Sequence, residues 1–215
     1  VSSRPRSTDD HGPRRRLAPE ARRAQLLAVA EDVFARLGVQ GTAVDDIAAA
    51  AGVTRTLIYK YFADKDEIYL ECVRAAREVL DNAVVAAAGE YDAAEDQLRA
   101  GFRAYFTFVR DGGSKWDVLF GGGAAASGSV ADLSAAFRYQ TVEVIAALVR
   151  SAAPGLAEDS AVAYAHAISG AAEQTAKWWR RHADTTIDVV VEQLMDVLWP
   201  GLASIVARQV SDPAD

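Results

Sequence analysis

Val44-Asp-Asp-Ile-Ala-Ala-Ala-Ala-Gly-Val-Thr-Arg-Thr-Leu-Ile-Tyr-Lys-Tyr-Phe62 is the stretch on which the fold turns. Val44, Ile47, Ala48 and Ala51 recur at helical spacing, and so do Val53, Leu57, Ile58, Tyr61 and Phe62, with one break between the sets. Gly52 stands at the break, where a residue closing one helix takes a positive φ at no steric cost. Ala48 is small where two crossing helices approach, and Thr54 can cap the second helix. That helix turns Arg55, Thr56, Tyr59 and Lys60 outward, a stripe of donors and a planar ring suited to a DNA major groove. A plain helical hairpin with a solvated face is the alternative. It explains Gly52 and the spacing, but not why the second helix is so short or why no acid falls between Val53 and Ala63.

Outward from this motif the pattern stays helical. A first helix is expected from Pro19, a good residue for a first turn, to Gly38, with Leu26, Leu27, Ala30, Val33, Phe34 and Leu37 as its apolar stripe. Thr42 is placed to cap the next helix, with Asp45 three residues on as its capping-box partner. Asp64 caps a long helix running through Ile68, Cys72, Ala75, Val79 and Val84 to about Ala88, long enough to leave one domain and enter another.

Gly41 to Ala48, Ala51 to Thr54, Ile58-Tyr-Lys-Tyr-Phe62 and Lys65-Asp-Glu67 together resemble the DNA-binding domain of the TetR family of regulators, over roughly Pro19 to Leu70. The family often has Thr or Ser where this chain has Ala43, and Thr where it has Leu57, so a hydroxyl is absent at each. Leu57 is left to meet a thymine methyl or to turn into the core. The resemblance implies a sequence-specific regulator of transcription, in most members a repressor that leaves its operator on binding a small molecule. Thr42, Thr54, Arg55, Thr56, Tyr59, Lys60 and Lys65 form the candidate DNA-binding set. The run Glu173 to Trp179 and the Leu198-Trp-Pro-Gly-Leu202 ending resemble, more loosely, the regulatory domain of one branch.

The expected architecture is all-α in three parts: a basic arm at 1–18, a helix-turn-helix domain at 19–65, and a helical effector-binding and dimerisation domain at 66–215. The net charge of −7 is split, +3 over residues 1–65 and −10 over the rest. Basic character is thus confined to the part that faces phosphates. The arm, with Arg4, Arg6 and Arg14-Arg-Arg16, is either a solvated tail or a strand along the phosphates and minor groove.

Further helices are expected near Tyr91–Gly112, Lys115–Phe120, Val130–Ala152, Glu158–His182 and Thr185–Gln209, with Pro200-Gly201 kinking or breaking the last. Gly121 to Gly128 lacks a Gly-Lys-Ser/Thr ending and a preceding strand, so it is no P-loop. The small-residue run Ala161 to Glu173 and the apolar stripe Ile187 to Leu198 fit a four-helix interface in a homodimer, with Ile168, Ala172, Trp179, Val191, Leu194 and Leu198 as candidates; intramolecular core is the alternative. Two-fold symmetry suits a palindromic operator in double-stranded DNA. Phe102, Tyr105, Phe106, Trp116, Phe120 and Phe137, with Glu173, are either core or the lining of an effector cavity.

Other classes find little support. No nucleophile, base and orienter group together, so an enzyme is not expected. A DNA-binding structural protein without an effector remains a rival, distinguished by operator affinity that no ligand changes. Three histidines and one cysteine, far apart, make no metal cluster, and no cofactor is implied. Cys72 reads as core filler. No signal peptide and no apolar run of membrane-spanning length is recognised, and a lone cysteine suits a reducing cytoplasm.

Overall fold

The computed structural model describes residues 18–121, 129–182 and 184–211, with the side chains of 121–139 and 209–211 outside that description. The basic arm, nearly all of the glycine-rich run and the Phe137 side chain therefore lie outside the described residues. Among the described residues there is helix and no strand: α1 (Pro19–Gly41), α2 (Val44–Ala51), α3 (Arg55–Tyr59), α4 (Lys65–Ala88), α5 (Ala94–Asp111), α6 (Ser114–Trp116), α7 (Ser129–Ala152), α8 (Glu158–Trp179) and α9 (Ile187–Ser211). α6 runs on into a π-helical turn, Asp117–Gly121.

Local chemistry sets most boundaries. Gly38 breaks α1 with φ +70°, yet one further turn closes at Gly41. Gly52 ends α2 at φ +63°, its N–H shared between Ala48 and Ala49 carbonyls. Nothing lies within 4 Å of where a Cβ on Gly52 would stand, so the dihedral and not crowding demands glycine. Asp64 Oδ1 accepts from Glu67 N at 2.8 Å and Glu67 Oε2 accepts from Ala63 N at 2.5 Å, closing the start of α4 from both sides. Pro200 does not break the last helix: α9 continues through it. Trp199 and Leu202 on either side pack against the core, and that burial offsets the lost hydrogen bond.

One continuous core joins the two domains. α4, about 36 Å long at 1.5 Å per residue, carries it. Its early residues Ile68, Tyr69 and Cys72 pack with α1, Tyr69 edge-on to Phe34, and its later Ala76 and Leu80 continue into the larger domain.

The seam between the domains is also polar. Glu31 of α1 is buried and accepts from Lys115 Nζ at 2.9 Å and Ser114 Oγ at 3.2 Å of α6. The Tyr69 hydroxyl donates to the Val118 carbonyl at 3.3 Å, and Cys72 Sγ lies 3.6 Å from the Leu27 carbonyl. Arg180 of the α8 end pairs with Asp117, its guanidinium 4.5 Å above the Trp116 ring. The short segment 114–121 is thereby clamped to α1, α4 and α8 at once.

α9 revises one expectation. Ile187–Arg208 is long and apolar enough, by length and composition, to cross a membrane: an 18-residue stretch of it reaches a mean hydropathy of 1.5, and 22% of that stretch is buried. Val190, Val191, Leu194 and Met195 show that one side is a core face. Asp188 and Glu192 pair with Arg103 and Arg99 of α5. Val189 and Val197 remain exposed, so the excess apolarity is on the outside of the protomer.

Candidate functional site

α3 is held from behind and open in front. Ile58 and Phe62 are fully buried, and Thr54 Oγ1 accepts from Leu57 N at 3.3 Å as the cap. Arg55, Thr56, Tyr59 and Lys60 face solvent together. Arg55 Nη2 donates to the Tyr59 hydroxyl at 2.9 Å and Nη1 to Asp45 Oδ2 at 3.0 Å, with the guanidinium 5.3 Å over the Tyr59 ring. The two side chains at the centre of the stripe are therefore preset relative to one another, and Asp45 occupies Arg55 where a phosphate or base would compete. Leu57 is half-buried.

Two members of the expected DNA-binding set point elsewhere. Thr42 is buried and donates to the Gly38 carbonyl at 2.7 Å, which leaves nothing for a phosphate. It is not the cap of α2, because that helix begins one residue later. Ala43 is the N-cap residue, and Asp46 Oδ2 accepts its N–H at 2.8 Å. The shift frees Asp45 for Arg55. Lys65 Nζ donates to the Val39 carbonyl at 2.8 Å, tying the start of α4 to the α1–α2 turn instead of facing outward.

Between α4, α5, α7, α8 and α9 lies a cavity of about 120 Å³. Phe102, Tyr105, Phe120 and Glu173 line it, as expected. Phe106 does not: it is wholly buried, edge-on to Tyr105 at 5.3 Å and to Trp179 at 5.4 Å. Trp116 is also off the wall, stacked between Phe120 and Arg180. Both belong to the core, because α5 turns position 106 toward α8 and position 102 toward the cavity.

The cavity is apolar along most of its length, through Leu80, Val84, Leu98, Val149, Trp199 and Leu202. One part of the wall is polar. Arg77, buried, donates through Nη1 to Thr141 Oγ1 at 2.8 Å, and Thr141 donates to Asp81 Oδ1 at 2.7 Å. Burial raises the Asp81 pKa, opposed by the Thr141 hydrogen bond and the Arg77 charge. Glu173 accepts from Lys177 Nζ at 2.5 Å. The Tyr105 hydroxyl and the Trp116 ring N–H are both buried outside good hydrogen-bond geometry. Desolvation pushes the Tyr105 pKa up, opposed by its interaction with the Trp116 N–H, so the phenol stays protonated. Arg77, Asp81 and Thr141 were missed in the sequence. The available signal was a charged pair four apart on α4 amid Ala76, Leu80 and Val84, where one helical face should be apolar.

The expected interface residues sit inside the protomer. Ile168, Ala172, Trp179, Val191 and Leu194 are buried in the chain's own core, and Leu198 packs against it. Ile168 and Ala172 line the cavity instead. Both helices have two usable faces, and the more apolar one turned inward. The outward faces carry Ala163, Ala167, Gly170, Gln174 and Trp178 on α8, and Val189, Gln193, Val197 and Pro200 on α9.

Residues 26–72 match the family model of bacterial regulatory proteins of the tetR family, and residues 94–201 match that of the tetracyclin repressor-like C-terminal domain. The chain belongs to the TetR family. That family is one of bacterial regulatory proteins, and the curated relatives that the chain matches are transcriptional regulators. The HTH-type transcriptional activator FasR of Mycolicibacterium smegmatis is 31% identical over 105 residues, 49% of this chain and 48% of FasR. The HTH-type transcriptional repressor SCO4008 of Streptomyces coelicolor is 36% identical over 66 residues, 31% of this chain and 33% of that one. The chain thus spans about half or less of the length of the curated relatives it matches.

Solved structures extend the likeness over most of the fold. A TetR-like regulator from Rhodococcus superposes with a TM-score of 0.71 at 26% identity, covering 87% of this chain and 99% of the other. AibR, solved with isovaleryl coenzyme A and operator DNA, gives 0.69 at 17% identity over 83% and 98%. FadR of Bacillus subtilis, solved with stearoyl-CoA, gives 0.70 at 15% over 81% and 96%. At those identities AibR and FadR speak for the fold alone.

Proposed function

We propose that this TetR-family chain is a homodimeric repressor that binds a palindromic operator through α3 and leaves it when a small molecule fills the cavity. The observation that carries this is the double duty of α4. Its first turns close the DNA-binding core through Ile68 and Tyr69, and its residues Arg77 to Val84 line the cavity. A ligand that favours one placement of α4 thereby favours one placement of both reading helices. On a two-fold operator these must match grooves about 34–36 Å apart. The outward faces of α8 and α9 are the surface for the second protomer, since two neighbouring helices there leave Trp178, Val189 and Val197 exposed. A chain acting on chromosomal DNA in this way would work in the cytoplasm.

The test begins with selection of the operator from random duplexes. Lys60→Ala should then weaken binding to all sequences alike and reduce the slope of log affinity against log salt by about one, as removal of one phosphate contact does. Unaltered affinity and base preference in both Lys60→Ala and Tyr59→Phe would show that α3 is not the reading helix.

A further inference from the structure

Asp46, Asp64 and Glu67, beside the reading stripe, serve the fold: the first accepts the Ala43 N–H at the start of α2, and the other two close the start of α4. Asp45 instead reaches across to α3 and accepts from Arg55 Nη1 at 3.0 Å. Both side chains of this pair are exposed, so the bond adds little to stability. What it fixes is direction. Asp45 holds one terminal nitrogen of Arg55, the Tyr59 hydroxyl holds the other at 2.9 Å, and the guanidinium carbon lies 5.3 Å from the Tyr59 ring centre. Held in this way, Arg55 is a poor partner for a phosphate and a good one for a base. The pair carries no net charge, and a phosphate drawn to this guanidinium would meet the Asp45 carboxylate at short range and be repelled. A base edge is uncharged and meets no such penalty. A guanidinium has more N–H groups than these contacts spend. Its planar fork matches paired acceptors side by side, which in the major groove are O6 and N7 of guanine. Side-chain freedom that Arg55 would lose on the operator is already restricted in the free protein, so a wrong base finds no second rotamer ready to suit it.

We propose that Asp45 is a positioning residue that turns Arg55 from a phosphate contact into the reader of a guanine in each operator half-site. This rests on the reading of α3 as the operator-contacting helix. The parent chain, Asp45→Ala, Asp45→Asn and Arg55→Ala are each carried through selection from random duplexes, with salt titrations on the selected site. The parent should prefer guanine at one position of the half-site by about 5–150-fold, the range of a good bidentate contact. Arg55→Ala should flatten that position. Asp45→Ala should lower the preference there by about 3–10-fold, the worth of one hydrogen bond, and leave the other positions alone. It should also steepen the slope of log affinity against log salt by about one, because the released guanidinium goes to a phosphate. Asp45→Asn keeps an accepting oxygen without the charge, so it should steepen the slope and keep more of the preference.

A merely structural role for Asp45 would weaken binding to all sequences alike and move neither readout. That result would overturn the assignment. So would an Asp45→Ala variant that keeps or sharpens the parental guanine preference, a salt slope that does not steepen, or a parent that selects another base at the position answering to Arg55→Ala. If Arg55→Ala changes the preference at no position, α3 itself is misassigned as the reading helix and this inference falls with it. A position that answers to Arg55→Ala but not to Asp45→Ala keeps the reading helix and refutes the role of Asp45 alone.

Discussion

Phe106→Ala should destabilise the chain by about 3–5 kcal/mol, the usual result of emptying a fully packed aromatic site. Phe106 is 0% exposed and is gripped edge-on by Tyr105 and Trp179, so truncation opens a hole that neither ring can close without leaving its own position. A denaturant melt reads the loss as a lower midpoint at constant slope. Phe120→Ala, by contrast, should cost less, because Phe120 is half-buried and already faces free volume. A Phe106→Ala loss of only about 1 kcal/mol would mean that position 106 borders the cavity after all.

Gly170→Arg combined with Val197→Arg should convert the protein to monomers and lower operator affinity by about 10²–10⁴, the gain that linking two half-site contacts confers. The two positions are chosen from the outward faces of α8 and α9. Val197 is 76% exposed, and a Cβ added at Gly170 meets nothing within 4 Å, so neither change disturbs the protomer. Replacing a helical glycine should if anything favour α8. Sedimentation gives the mass, and an unchanged melt confirms the fold. Dimers that persist in the double variant would move the interface to another face.

What the sequence disclosed and what it concealed divide along physical lines. The helix-turn-helix was legible because it is local: Gly52, Thr54, Asp64 and the apolar spacing act on their immediate neighbours, and each appears where expected. Errors there were of one residue, as with the cap assigned to Thr42 and made by Ala43 and Asp46. In the larger domain the helices were found, but not which way they faced. α8 and α9 are apolar or small on two sides, so periodicity alone does not say which side meets the core, and Ile168, Ala172, Val191 and Leu194 went inward. For the aromatics of α5 the difference between wall and core is a rotation of about 100° per residue. That rotation separates Phe102 and Tyr105 from Phe106 only once α8 is in place. The Arg77, Thr141 and Asp81 chain joins α4 to α7 across some sixty positions, a relation set by packing and not by spacing.

The seam between α1 and α4 contains a silent thiol. Cys72 is 1% exposed, and burial, with the Glu31 and Glu71 charges, pushes its pKa up to about 12. At neutral pH the sulfur is protonated, walled in and 3.6 Å from the Leu27 carbonyl, so a reagent reaches it only when α1 lifts away from α4. The lone cysteine of the chain is therefore a clock for that opening. With excess reagent its rate of modification counts the excursions in which the DNA-binding domain loosens from its lever, and an effector or an operator should each leave its own signature in that rate.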